Sequence, residues 1–187
     1  MRIAVAVSGG GSNLQALLDS LPTGAPAQVA LVVSNKATAG GLDRAKGRGI
    51  PTAVFTDPAS AEEWLGLLKQ HRIDLIVLAG YLKLVPAGVI SAFRGRIVNI
   101  HPALLPAFGG AGMYGKRVHQ AVIDAGAAES GCTVHLVDEV YDRGEILAQA
   151  RVPVLPGDTA ESLAARVLIA EHRLLPEVVL KFARGQQ

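Results

Sequence analysis

Strands and helices alternate through the N-terminal half of the chain, the apolar runs there are continuous, and two alternating runs near the C-terminal end have no helix between them. Together these predict an α/β fold with three layers, a mostly parallel sheet covered on both faces and an antiparallel C-terminal extension. Residues 2–7 are apolar throughout, as a strand buried on both faces is, and Ser8-Gly-Gly-Gly-Ser-Asn13 interrupts them at once. Leu14, Leu17, Leu18 and Leu21 have helical spacing, and Pro22 and Gly24 end that helix. A buried strand over 28–33, a short helix over 42–48 and a strand over 52–55 complete a β-α-β-α-β alternation. Ser60 and Glu63 have capping-box spacing for a helix reaching Arg72, ahead of a strand over 74–79.

A loop over 80–86 and a helix over 87–93 lead to a fifth strand, 96–100. Glycines crowd Gly109 to Gly115, and Val118, Ala121 and Val122 mark a helix ending by Gly126. The stretches 132–137 and 146–154 alternate, and they form the antiparallel extension. Asp158 and Glu161 are placed to cap a long last helix that Pro176 interrupts or bends. We expect residues 1–187 to form one domain, its N-terminal half binding a phosphate and its C-terminal half carrying the catalytic loop.

Composition narrows the function. The 18 basic and 16 acidic side chains nearly cancel, without a basic run, so small molecules are expected as partners and nucleic acid is not. A single cysteine, Cys132, excludes an intramolecular disulfide and a cysteine metal cluster, and no His, Asp or Glu pair has metal-ligand spacing, so no metal is expected. The chain opens directly into a strand and lacks the ~20-residue apolar stretch that crosses a bilayer. A cytoplasmic location, without a membrane partner, is the corresponding expectation.

Three segments could carry chemistry. In an extended strand Asn99 and His101 share a face, so a carboxamide and an imidazole converge where Pro102 ends the strand. The loop 9–13 joins a strand to a helix, where free backbone N–H groups favour an anion; it lacks the Lys of a Walker loop and the third glycine of a dinucleotide site. The phosphate of a mononucleotide suits it, and a side chain on Gly11 is expected to crowd that phosphate. The loop 138–144 offers Asp138, Glu139 and Asp142, any of which could orient His101 and favour its charged form, and its Gly144 suggests a turn with positive φ. His119 and His135 read as structural, and Glu171-His172 as a solvated pair on a helix surface.

Ser8-Gly-Gly-Gly-Ser-Asn-Leu-Gln-Ala-Leu-Leu18, Leu78-Ala-Gly-Tyr81, Asn99-Ile-His-Pro-Ala-Leu-Leu-Pro106 and Gly131-Cys-Thr-Val-His-Leu-Val137 together resemble the phosphoribosylglycinamide formyltransferase family, over nearly the whole chain. The resemblance implies a Rossmann-like fold. It also implies transfer of a formyl group from 10-formyltetrahydrofolate, as co-substrate, to the amine of glycinamide ribonucleotide in purine biosynthesis, by a monomer or homodimer. It makes Asn99, His101 and Asp142 the catalytic set, with Asp142 chosen because it stands seven residues after His135. Gly11, Ser12 and Asn13 would hold the phosphate, and Glu171 would lie near the glycyl amine. Leu82, Lys83, Leu84, Val85 and Val137, with Asn99, would line the folate pocket.

Three departures stand out. Lys83 replaces a common Arg, Ala61 replaces an arginine expected near the folate tail, and the longer 109–115 segment is expected to act as a flap. The alternatives are a formyltetrahydrofolate hydrolase, which normally carries a further regulatory domain, and a methionyl-tRNA formyltransferase, which would need an RNA-binding domain; neither fits the expected single domain. A non-catalytic folate- or phosphate-binding module would have no need for the three catalytic residues together.

Overall fold

The computed structural model describes residues 1–22 and 24–185. Seven strands form one sheet in the order β3-β2-β1-β4-β5-β6-β7. Strands β1 (Arg2–Val7), β2 (Gln28–Ser34), β3 (Thr52–Val54), β4 (Leu75–Leu78) and β5 (Ile97–His101) are parallel, β6 (Glu129–Leu136) pairs antiparallel with β5, and β7 (Ile146–Pro153) pairs antiparallel with β6. The predicted α/β architecture, with its antiparallel extension, is the observed one.

Alternation along β1 divides the core. Ile3, Val5 and Val7 face one layer, against α1 (Ser12–Ser20), α2 (Gly40–Gly47), α5 (Lys116–Asp124) and α6 (Ala160–Ala183). Ala4 and Ala6 face the other, against α3 (Ala61–Gln70) and α4 (Ala87–Ala92). The small side chains of Ala4 and Ala6 leave room on that side for Trp64, which is fully buried, stacks on Phe55 at 4.4 Å and meets Tyr81 edge-on at 5.6 Å.

Helix ends follow their chemistry more closely than their spacing. The Ser60 hydroxyl accepts from the Glu63 N–H, but the Glu63 carboxylate turns away to accept from the N–H groups of Thr56 and Asp57, so no reciprocal capping box forms. The last helix is capped one residue later than expected, by Thr159 and Ser162, while Asp158 accepts from Arg166 and from the Leu155 N–H. Pro176 does not divide α6.

After β1 the chain goes first to β2 and β3 and then returns to β4 on the other side. The loops at the ends of β1 and β4 therefore diverge and leave a crevice between them, where α/β sheets bind ligands. Ser8 ties this crevice together. Its hydroxyl donates to Asn35 Oδ1 at 2.6 Å and accepts from the Leu82 N–H at 2.9 Å, and its own N–H reaches Gly80 O.

Gly11 is required here for packing. Its φ is +71°, and a Cβ would stand 2.6 Å from the Gly41 Cα, so helices α1 and α2 approach backbone to backbone. A side chain at Gly11 therefore strikes Gly41 first, not the phosphate it was expected to crowd. The left-handed backbone alone costs a non-glycine residue roughly 1–2 kcal/mol, and the clash adds to it. Gly11→Ala should lower the urea midpoint markedly, whereas Gly10→Ala, whose Cβ meets open space, should barely change it. Equal midpoints for the two variants would contradict this packing.

Candidate active site

The antiparallel pairing of β5 with β6 sets Asn99 opposite His135 and His101 opposite Thr133. Beyond Leu136 the chain turns back so that Asp142 arrives beside both imidazoles, 3.5 Å from His101 Nδ1 and 3.5 Å from His135 Nε2. Glycines allow that approach. A Cβ on Gly144 would lie 1.7 Å from Leu136 O, and one on Gly109 would strike Leu105 and crowd Asp142. In this loop the positive φ falls on Asp142 (+56°), whereas Gly144, where it was expected, is needed for the close approach to Leu136.

These groups open onto a cavity of about 540 Å³. Asn13, Leu82, Asn99, His101, Asp142 and Glu171 all line it, together with Gly110 and residues 112–116 of the glycine segment, His119, Tyr141 and the inner face of α6. Most of the catalytic and nucleotide residues indicated by the resemblance are thus brought together.

The other predicted residues lie differently. Val85 is buried in the core beside α3 and α4, with Val137 packed against the same cluster, while Lys83 and Leu84 are exposed at the loop surface. Gly11 packs on α2, and Ser12 opens α1, whose N-cap has no side-chain partner. The Asn13 side chain turns inward and donates to Glu171 Oε2 at 2.7 Å. The Ser12 hydroxyl and the backbone N–H groups of the loop remain to meet an anion.

Glu171 is 6% exposed, not a solvated surface acid. Burial pushes its carboxyl above the ordinary carboxylate range, and the Asn13 hydrogen bond only partly opposes this. His119 and His135, expected to be structural, both belong to the site. His119 lines the cavity, and its Nδ1 is buried without a hydrogen-bond partner among the described residues. His135 is brought to the site by the β5–β6 register, since residues paired across two strands share a face.

His101 Nε2 lies 2.9 Å from Phe108 O, a pure acceptor, so Nε2 carries a hydrogen and Nδ1 faces Asp142. Burial lowers the His101 pKa from 6.5, outweighing the Asp142 carboxylate that was expected to keep the imidazole charged. Asp142 is itself buried, which would raise its pKa, but the hydrogen bond from the Gly110 N–H and the two imidazoles beside it hold it below the ordinary carboxylate value. The resting site is therefore a carboxylate beside a neutral His101, whose Nδ1 is free to take a proton.

The sign of this shift is testable. A folded pKa below the unfolded one means that the unfolded chain binds the proton first, so His101 costs the fold stability as the pH falls through 6.5. NMR titration of the ligand-free protein should give His101 a midpoint below 6.5. A midpoint at or above that value would mean that Asp142 outweighs burial.

A sequence profile described as "Formyl transferase" matches residues 1–179. The chloroplastic phosphoribosylglycinamide formyltransferases of Arabidopsis thaliana and Vigna unguiculata are 48% and 50% identical to the chain, each over 95% of it. The chain spans 64% and 59% of the length of these two relatives. The crystal structure of phosphoribosylglycinamide formyltransferase from Anaplasma phagocytophilum superimposes with a TM-score of 0.92 at 40% identity, covering 98% of this chain and 87% of that one. With the profile matched across nearly its whole length, the chain belongs to the formyl transferase family.

Proposed function

We propose that this chain transfers the formyl group of 10-formyltetrahydrofolate to the primary amine of glycinamide ribonucleotide, a step of purine biosynthesis. The observation that carries this reading is the convergence of Asn99, His101 and Asp142 on the cavity that Asn13 and Glu171 also line. The first turn of α1 would receive the phosphate through its backbone N–H groups. Glu171 would hold the ribosyl or glycyl part from the opposite wall, and Leu82 would flank the pterin.

The chemistry follows from the protonation states. The neutral amine attacks the formyl carbon, and the new oxyanion is stabilised by an Asn99 N–H. The ammonium formed by the attack gives a proton to His101 Nδ1, and the resulting imidazolium is held by Asp142. The imidazolium then returns the proton to the folate nitrogen as the C–N bond to the carrier breaks, so formylated nucleotide and tetrahydrofolate leave with all protons accounted for. Asp142 remains a carboxylate throughout. No metal is required for any of these steps.

Among the described residues no helix is long and apolar enough to cross a membrane. We place the chain in the cytoplasm as a single-domain monomer or homodimer acting on small molecules. Ala61 packs close to Gly88 and brings no positive charge for a folate glutamate tail. The 109–115 segment, which lines the cavity, would close over the substrates.

Incubation of the protein with 10-formyltetrahydrofolate, with and without glycinamide ribonucleotide, tests the reading. Formyl loss should require the nucleotide and should yield formylated nucleotide in equal amount. Release of formate without nucleotide would identify a hydrolase instead, and no reaction in either case would leave only a binding module.

A further inference from the structure

His135 touches two of the three proposed catalytic side chains. It is 2% exposed, stands directly opposite Asn99 in the sheet, and was not among the residues assigned a role by sequence. Its Nδ1 lies 2.7 Å from the backbone carbonyl of Leu136, an atom that can only accept, so Nδ1 must carry a hydrogen. A neutral imidazole then has its lone pair at Nε2. That nitrogen faces the Asn99 carboxamide at 3.0 Å and Asp142 Oδ1 at 3.5 Å. A lone pair is satisfied by an amide N–H and not by a carboxylate oxygen, and the amide is also the nearer partner.

An asparagine amide has two orientations of almost the same shape, with donor and acceptor exchanged. Only a neighbour that distinguishes N–H from oxygen can select between them. We infer that His135 is a positioning residue for the formyl transfer proposed above: its Nδ1–H tautomer, set by the Leu136 carbonyl, selects the orientation of the Asn99 amide. One Asn99 N–H is then held by His135, and the second is kept where it can meet the oxyanion. With the opposite tautomer the amide would turn its oxygen to His135, and donor and acceptor would exchange places in the cavity. The register of β5 and β6 makes the selection possible, because it puts the imidazole and the carboxamide on one face at paired positions.

This inference rests on the proposed reaction, so its test combines one readout of tautomer with one of rate. NMR of the ligand-free protein labelled with nitrogen-15 in its histidines, with His135 assigned by its disappearance in His135→Gln, should show a protonated Nδ1 and an unprotonated Nε2. A hydrogen on Nε2, alone or together with Nδ1, would overturn the inference.

In steady-state kinetics His135→Phe, which keeps the bulk and loses the acceptor, should lower kcat by about 10- to 100-fold and leave KM for the nucleotide unchanged. His135→Gln, whose amide oxygen can take the place of Nε2, should recover most of that rate. An unimpaired Phe variant, equal loss in both variants, or a loss confined to KM would contradict the role. If the wild-type chain transfers no formyl group, the proposed reaction itself fails. If it is active and Nε2 bears the hydrogen, the His135 inference alone fails.

Discussion

The pairing of β5 with β6 is the constraint on which the site depends. Side chains on a strand alternate between faces, so a slip of one residue in this register would turn His135 away from Asn99 and carry the Asp142 loop with it. The register is held from several directions. Thr133 donates its hydroxyl to Ala103 O at 2.6 Å and accepts from the Leu105 N–H at 3.0 Å, which ties β6 to the loop leaving β5. Gln149 on β7 reaches both Leu105 O and the same Thr133 hydroxyl. The proline-containing exit from β5 is thus fixed by side chains of the two antiparallel strands, and His101 is positioned against a stiff frame.

Burial gives the site its character. His101, His135 and Glu171 are almost withdrawn from water, and a buried polar group is costly unless it is paired. The fold resolves this by giving each a specific partner: Phe108 O for His101, Leu136 O and Asn99 for His135, Asn13 for Glu171. The charged form is resisted at His101 and at Glu171, while Asp142 stays ionised with the Gly110 N–H donating to it and the two imidazoles beside it. An uncharged imidazole beside a carboxylate is the arrangement that a reaction moving one proton from an attacking amine to a leaving amine requires.

Much of this was legible in the sequence, and the limits have physical reasons. Apolar periodicity located the seven strands and six helices because both faces of the sheet are covered. Asn99 and His101 were legible because residues two apart on a strand share a face, and the glycine loop because it joins a strand to a helix. The use of each glycine was not legible: Gly11 serves Gly41, and Gly144 serves Leu136, contacts that exist only once the chain is folded. The charge state of His101 was misjudged for the same reason, since the Asp142 neighbour could be anticipated but the extent of burial could not. His119 and His135 looked ordinary in sequence, and Glu171 stood out only through the family resemblance, because their places depend on which helix or strand packs opposite them. Val85, expected beside the folate, has its side chain packed in the core because the loop after β4 folds inward at that residue.

The central claim is that the end of β5 performs the chemistry while the α1 loop performs the binding, and substitution at β5 separates the two most directly. Asn99→Ala and His101→Ala should each reduce turnover by ~10²–10³-fold, while glycinamide ribonucleotide still binds by calorimetry with nearly unchanged affinity. Near-normal turnover in both variants, or loss of nucleotide binding in step with rate, would contradict the account.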